Sequence, residues 1–592
     1  MEKMETHPTI NRLFSKILEL HDTRMVGFSI LVGIIGAVAS LSFTYLTDFM
    51  NFLFLNFLAH VEIPDIGEAG AVSPLVYGDY GRWLIPVSVI LGALISGWVV
   101  YQFAPETEGH GTDAVVNAYH NQGGRIRARV PFVKMISAAI TIGSGGSAGR
   151  EGPTAQITAG VGSILAGFFR LSDRDRRMII LAGMAAGLSA MFRSPFGTAI
   201  FAVEILYSTM EFEARMLIYT IIASVTAYAL NGMFLGWKPI FHIDSDLLFH
   251  DPRNLIWFTA LGLITGLLGS VFPTVFYRIR DWFSGLSLPQ NLRPALGGAL
   301  LGILALFLPQ VLGGGYGWMQ MALNGHWGLG TLVILIVAKA VAMSLTIGSG
   351  GSGGVFAPSL YVGTMTGIAL ATVLNQLFPG LGLNIQVFGV VGMAALFASA
   401  ARVPVASLMM ALEMTGGYQL IVPTMMAVAV SYLVQSALTF NKVYPTLYEA
   451  QVKDRSESPV HQDEYIARTL YMLKSNQLRF YRGEVPFSLS LQDILKWRTP
   501  IRLQETEQYF YVGFVRNKPE LVNRPLKQTD FANREIRLIV LIRDGIPIIP
   551  NGDTILKPKD KVILVARPED YESIKTIIRI PYLMRRSTPA RA

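Results

Sequence analysis

The sequence predicts an all-α polytopic membrane domain of two related halves with broken helices, expected to be inverted relative to each other, followed by a small α+β cytosolic domain. Three observations carry this: apolar runs long enough to cross a bilayer, a duplicated glycine-rich segment, and a charged C-terminal stretch with the period of strands.

Of the 592 residues, 51% are hydrophobic and only 15% charged, whereas soluble domains carry about a quarter charged residues. A bilayer core about 30 Å thick takes roughly 20 apolar residues in a helix. Runs of that kind lie at 25–58, 83–103, 216–235 and 255–276. One cleavable leader cannot account for so many, and residues 1–24 hold no apolar run of their own. A net charge of +8 raises the question of nucleic acid, but the basic residues form no single stripe. Arg125, Arg127 and Arg129, then Arg170, Arg174, Arg176 and Arg177, sit in short loops between apolar runs, as cytoplasmic loops do. Segment 62–79, with four acids and no base, is expected outside. There is no cysteine, which excludes disulfides and thiolate metal sites; no metal or cofactor is expected.

Residues 141–153 read TIGSGGSAGREGP and residues 346–358 read TIGSGGSGGVFAP, an offset of 205 that Lys134 and Lys339 share. GMAA at 183–186 recurs at 392–395, and Pro195/Pro404 and Glu204/Glu413 keep that offset of 209. GHG at 109–111 is set against GYG at 315–317. The expected organisation is a cytosolic segment 1–24, a membrane domain 25–450 with halves at about 25–235 and 254–440, a linker 451–504, and a regulatory domain 505–592. Internal duplication is common in transporters, often with inverted halves. The apolar runs 157–169 and 178–191 are too short to span and are read as helices that stop within the membrane. Free backbone groups there are expensive, so such breaks call for a polar solute.

The break 143–153 ends in a helix start, with Pro153 suited to its first turn. Glycines let backbone N–H groups face a ligand, and the unpaired N–H groups of a helix start attract anions. Residues 354–358 form the matching start in the second half, so two helix starts can aim at one anion. Glu151 would compete with that anion for the same N–H groups and let go when protonated, a gate; the alternative is an acid that only stabilises its helix. GSGGSG at 348–353 fits a dinucleotide fingerprint, but it follows an apolar membrane segment and no acid stands at 370–378, so that reading is set aside.

Gly149-Arg150-Glu151-Gly152-Pro153 and Gly354-Val355-Phe356-Ala357-Pro358, in order on a duplicated frame, resemble the GREGP and GxFxP motifs of the CLC family of chloride channels and chloride/proton exchangers. The resemblance covers nearly all of 25–450. It implies a homodimer with one chloride pathway per subunit, Glu151 as the gating glutamate, and an anion held by backbone amides of Val355 and Phe356, with Arg150, Gly152 and Ala357 at the same helix starts. The family's GSGIP stretch is matched by Gly109-His110-Gly111-Thr112-Asp113. His110 replaces the serine whose hydroxyl touches the anion; it either offers a ring nitrogen or points away, leaving the Gly111 and Thr112 amides. Leu447-Tyr448-Glu449-Ala450 matches the family's anion-binding tyrosine, with Tyr444 the competitor. Exchangers of the family usually carry two glutamates where this chain has Glu204 and Ile205. An isoleucine cannot relay a proton, so the resemblance favours a channel or uncoupled transport, the alternative being a proton-coupled chloride or fluoride exchanger. Glu204, like Glu413, reads as structural.

In the tail, 536–542 is a strand pattern, Asp544-Gly545 a hairpin turn signal, 552–553 a further turn, 561–566 a strand and 568–578 a helix. LIRDGIPIIPNGDTILKPKDKVILVARPED resembles the C-terminal domain of RCK (TrkA-C) proteins, over about 505–580. That implies dimerisation and small-ligand sensing, in some cases of cyclic dinucleotides, and places both termini in the cytoplasm of a prokaryotic plasma membrane. A membrane-anchored ligand sensor is the reading from another class. An enzyme is not expected, since no nucleophile–base pair or metal-ligand cluster stands among the few buried polar residues.

Overall fold

A computed structural model describes residues 21–461 except 68–69, 245–248, 250, 441 and 456, and in the C-terminal part 479–482, 485–488, 501–502, 509–518, 521–528, 536–543, 546–548, 550–558 and 560–579. Two compact units result, divided between Ser458 and Pro459.

The first unit is helical. Its first half holds α1 (His21–Asn51, continued by a π-helical turn Phe52–Leu58), α2 (Gly81–Phe103), α3 (Thr112–Asn121), α4 (Val130–Gly143), α5 (Glu151–Phe168), α6 (Asp173–Phe192), α7 (Pro195–Glu204) and α8 (Ala214–Leu235). The second half repeats the series with α9 (Leu255–Ser284), α10 (Arg293–Phe307), α11 (Tyr316–Leu323), α12 (Leu329–Gly348), α13 (Phe356–Leu377), α14 (Ile385–Ala401), α15 (Pro404–Thr415) and α16 (Ile421–Thr439). Seven helices among the described residues are long and apolar enough to cross a membrane. A short hairpin, β1 (Val61–Glu62) with β2 (Val76–Tyr77), closes the connection after α1.

The apolar runs read as short helices are longer than expected. α5 has 18 residues because the polar turn from Glu151 to Gln156 is helical and buried. α6 has 20 because Ser172 caps it, accepting from the Asp175 N–H, and its charged first turn is part of the helix. Hydrophobicity marks where a helix can meet apolar surroundings, not where its backbone hydrogen bonds begin.

The halves meet at equivalent residues. Gly149 and Gly354 exchange backbone hydrogen bonds (2.8 and 2.7 Å) as a short antiparallel bridge. Gly145 (φ 103°) and Gly350 (φ 101°), again 205 apart, turn the chain in a region that side chains rarely enter. The GHG/GYG pairing needs correction. The Lys134 ammonium donates to the carbonyls of Thr107 and Gly109, and the Lys339 ammonium to those of Val311 and Gly313. Gly109 and Gly111 have positive φ, as have Gly313 and Gly315. The structural offset is therefore 204, and Tyr316 answers to Thr112 rather than to His110. Dense glycines allow either register in sequence; only the lysine–carbonyl contacts fix one.

Residues 451–455, 457 and 458, read as the beginning of a linker, are held on the first unit. Tyr207 and Val452 form a parallel bridge, Ser208 N–H donates to Val452 (2.8 Å), and the Gln451 amide donates to the carbonyls of Ile205 and Ala401 (3.1 Å each).

The second unit holds the hairpin β3 (Arg479–Arg482) and β4 (Val485–Ser488). It also holds a sheet of β5 (Ile501–Arg502), β6 (Tyr509–Val515), β7 (Arg537–Arg543), β8 (Ile546–Ile548), β9 (Lys561–Ala566) and β10 (Ile578–Arg579). The strand order is β10-β6-β9-β7-β8, with β5 on β6, and every pairing is antiparallel. Arg543 pairs with Ile546; the turn expected at 544–545 lies outside the described residues. The helix expected over 568–578 is a 3₁₀ turn (Pro568–Asp570) and α17 (Tyr571–Ile577); Ile578 already belongs to β10. α17 packs Ile574 and Ile577 onto Leu541, Val562 and Leu564 in the core of this unit.

Candidate functional site

Two helix starts face each other where the halves meet. In α13 the ladder bond at the helix start runs from Ser359 N–H to the Val355 carbonyl, so the N–H groups of Phe356 and Ala357 have no partner within the helix. In α5 the corresponding bond is Thr154 N–H to the Arg150 carbonyl. The Gly149–Gly354 bridge brings the two starts together. Closeness here requires glycine: a Cβ on Gly152 would come 1.7 Å from the His110 carbonyl oxygen. The Phe356 ring packs on Phe192 (4.9 Å) and Phe397 (4.4 Å between centroids), an apolar wall beside the amides.

The Glu151 side chain is 3% exposed. Its Oε1 accepts the Tyr316 hydroxyl at 2.6 Å. Its Oε2 lies over Gly149 and Gly354, where a Cβ would stand 1.8 and 2.6 Å away, and makes no hydrogen bond of its own. The backbone N–H groups of Glu151 and Ala357 face the carboxylate. The carboxylate thus sits against the α13 start, where an anion would be received.

Thr112, the first residue of α3, lies within hydrogen-bonding reach of the Tyr448 hydroxyl. The His110 ring stands edge-on to Tyr448, with centroids 5.1 Å apart. His110 Nε2 pairs with Asp113 (3.1 Å), while its buried Nδ1 has no partner. Asp113 also accepts the N–H groups of Glu449 and Ala450 (3.2 Å each), tying the Tyr448 loop to α3. Gly111 is the N-cap of α3, and a Cβ there would meet the Gly152 carbonyl at 2.7 Å. Tyr444 is elsewhere. It stacks on Tyr277 (4.1 Å) and accepts from Arg280 (2.9 Å). Tyr448 is 3% exposed.

The arrangement brings together Glu151, Gly152, His110, Gly111, Thr112, Val355, Phe356, Ala357 and Tyr448. The Arg150 side chain turns away, to Asp48 on α1 at 2.7 Å. With Asp48 and Tyr316 it lines two adjoining cavities of about 730 and 450 Å³ on the side of the 61–77 hairpin. Ile205 is fully buried and ends α7. Glu204 accepts the N–H groups of Val405 (3.1 Å) and Ala406 (2.7 Å) at the start of α15. Tyr316 is the residue sequence patterns did not single out. Its signal was its place directly after the tripled glycine 313–315, hidden by the shifted register.

Comparison with known proteins bears on the family and the fold. Residues 92–436 match the family described as voltage gated chloride channel, and residues 514–579 match the TrkA-C domain. The H(+)/Cl(-) exchange transporter ClcA of Vibrio campbellii is 32% identical over 441 residues, 72% of this chain and 90% of the relative. That of Salmonella arizonae is 34% identical over 382 residues, 62% of this chain and 80% of the relative. Among solved structures, a slow cyanobacterial Cl−/H+ antiporter superposes with TM-score 0.63 at 24% identity, over 72% of this chain and 97% of the other. A CLC-type fluoride/proton antiporter gives 0.60 at 21%, over 73% and 98%. At these identities the superpositions speak for the fold alone.

Proposed function

Because the chain belongs to the CLC family of voltage gated chloride channels, as an anion transporter of the membrane, we propose that it moves chloride past the paired helix starts, with Glu151 as the gate. The observation that carries this reading is the seat of the Glu151 carboxylate against the amides of α13. Carboxylate and chloride are both anions and cannot occupy the same N–H groups together. Displacement by chloride, or protonation, opens the path. The amides at 355–357, the Tyr448 hydroxyl and His110 replace the water lost by the ion, and release requires that this binding stay weak.

Passive or uncoupled transport is the reading favoured by Ile205, which cannot carry a proton, and by Glu204, whose two oxygens are committed to the start of α15. Proton-coupled exchange of chloride or fluoride is the second reading, favoured by the names of the relatives. Chloride efflux from proteoliposomes under a valinomycin clamp, with external pH recorded, separates them. Efflux without proton movement, altered by Glu151→Ala, supports the first reading; protons moving in fixed ratio to chloride support the second. No flux of any anion would count against both and leave the anchored-sensor reading.

For the TrkA-C domain we propose ligand sensing that biases the pathway, with cyclic dinucleotides as first candidates, in a homodimer with cytoplasmic termini. Flux that does not respond to cyclic dinucleotides would remove that candidate.

A further inference from the structure

We propose that Tyr316 is the positioning residue that latches the Glu151 carboxylate in the anion path, so that breaking this one hydrogen bond is the opening step. The inference rests on the gate reading of Glu151 and adds to it the group that sets how firmly the gate is seated.

Tyr316 is the one side chain among the described residues that hydrogen-bonds to Glu151, at 2.6 Å. A bond from a neutral hydroxyl to a carboxylate is short and strong. Oε2 contributes no such bond, so the carboxylate hangs on Tyr316 and on the backbone N–H groups of Glu151 and Ala357. Those N–H groups are where an incoming anion competes. The tyrosine hydroxyl is a side-chain donor apart from those amides, on a residue that also lines both cavities.

The latch is held rigidly. Tyr316 opens α11 directly after Gly315 (φ 88°). The loop before it is fixed by Lys339, through the carbonyls of Val311 and Gly313. Phe241 flanks the ring at 5.9 Å. The duplication supplies a control. Thr112, at the same place in α3, offers its hydroxyl to Tyr448. Each half thus puts a hydroxyl from the first residue of its short helix into the pathway, and only in the second half is it long enough to reach the gate.

The other charged or titratable groups facing Glu151 are Arg150 on its own helix start, Lys339 on α12 and Tyr448. Arg150 is committed to Asp48 and Lys339 to two carbonyls, so neither is free to replace the tyrosine.

The test is chloride efflux from proteoliposomes of the full chain, at neutral and mildly acidic pH, for wild type, Tyr316→Phe, Glu151→Ala and the double variant. Losing a hydrogen bond to a charged acceptor shifts the seated-to-released ratio by roughly tenfold. Efflux of Tyr316→Phe at neutral pH is expected to rise several-fold toward that of Glu151→Ala, and to rise less on acidification than wild type. The double variant should match Glu151→Ala. Fluorotyrosine at 316, a stronger donor, should slow efflux. Unchanged rates and pH profile in Tyr316→Phe, beside an altered Glu151→Ala, would overturn the latch and leave the gate. An effect of Tyr316→Phe that persists without Glu151 would assign the tyrosine to packing and overturn it too. If Glu151→Ala behaves as wild type, the gate itself fails and the latch with it.

Discussion

Glu413 accepts the N–H groups of Phe196 (3.2 Å) and Gly197 (2.8 Å) at the start of α7, while Glu204 does the same for Val405 and Ala406 at the start of α15. Each half closes the other's helix. The carboxylates satisfy orphan N–H groups and complement the helix dipoles. Glu413→Ala would leave buried donors unpaired at about 1–3 kcal/mol each. The expected outcome is a lower unfolding temperature in detergent with the two halves loosened together; an unchanged midpoint would show that water or a neighbour closes the helix instead.

Lys134 and Lys339 each bind two carbonyls of the loop ahead of a short helix. Replacing either by methionine removes both donors and should cost of order 2–3 kcal/mol. The functional effects should differ. Lys134→Met should loosen the His110–Thr112 loop and weaken chloride binding, whereas Lys339→Met should loosen Tyr316 and raise basal efflux. Calorimetry and flux on the same preparations distinguish the two.

His110 offers a ring where a small hydroxyl would serve. A protonated imidazole attracts an anion; a neutral one has a single N–H to give. In a Glu151→Ala background, which removes the gate's own response to pH, His110→Ser is expected to flatten any gain in chloride affinity on acidification. Titration calorimetry at two pH values reads this directly, and parallel curves for the two proteins would show that the ring does not meet the ion.

Asp113 joins His110 to the N–H groups of Glu449 and Ala450. Asp113→Ala should free the Tyr448 loop and weaken chloride binding by about tenfold, or 1.4 kcal/mol, while Tyr448→Phe, which keeps the loop fixed, should cost less. Equal losses would mean that the Tyr448 hydroxyl, rather than the position of its loop, carries the binding.

Much of this molecule is written locally. The apolar runs at 83–103 and 216–235 became α2 and α8 nearly as read, because a helix is the cheapest way to satisfy backbone groups in lipid. The glycine-rich duplicates announced paired helix starts, and the tail's β-branched run 536–542 became β7, because both signals rest on the preferences of adjacent residues. The sequence by itself determined which segments are helices or strands, that the chain is doubled, and that a carboxylate stands at a helix start. Only the tertiary structure decided which groups meet. It put the Tyr448 hydroxyl, not that of Tyr444, beside Thr112, turned Arg150 out to Asp48, corrected the pairing of Tyr316 from His110 to Thr112, and brought the Tyr316 hydroxyl to Glu151 across 165 residues. The reason is one of range. Propensity and periodicity act over a few residues, whereas the partner of a buried polar atom is chosen by how two halves pack, and a glycine-dense segment leaves no local mark of which register that packing will take.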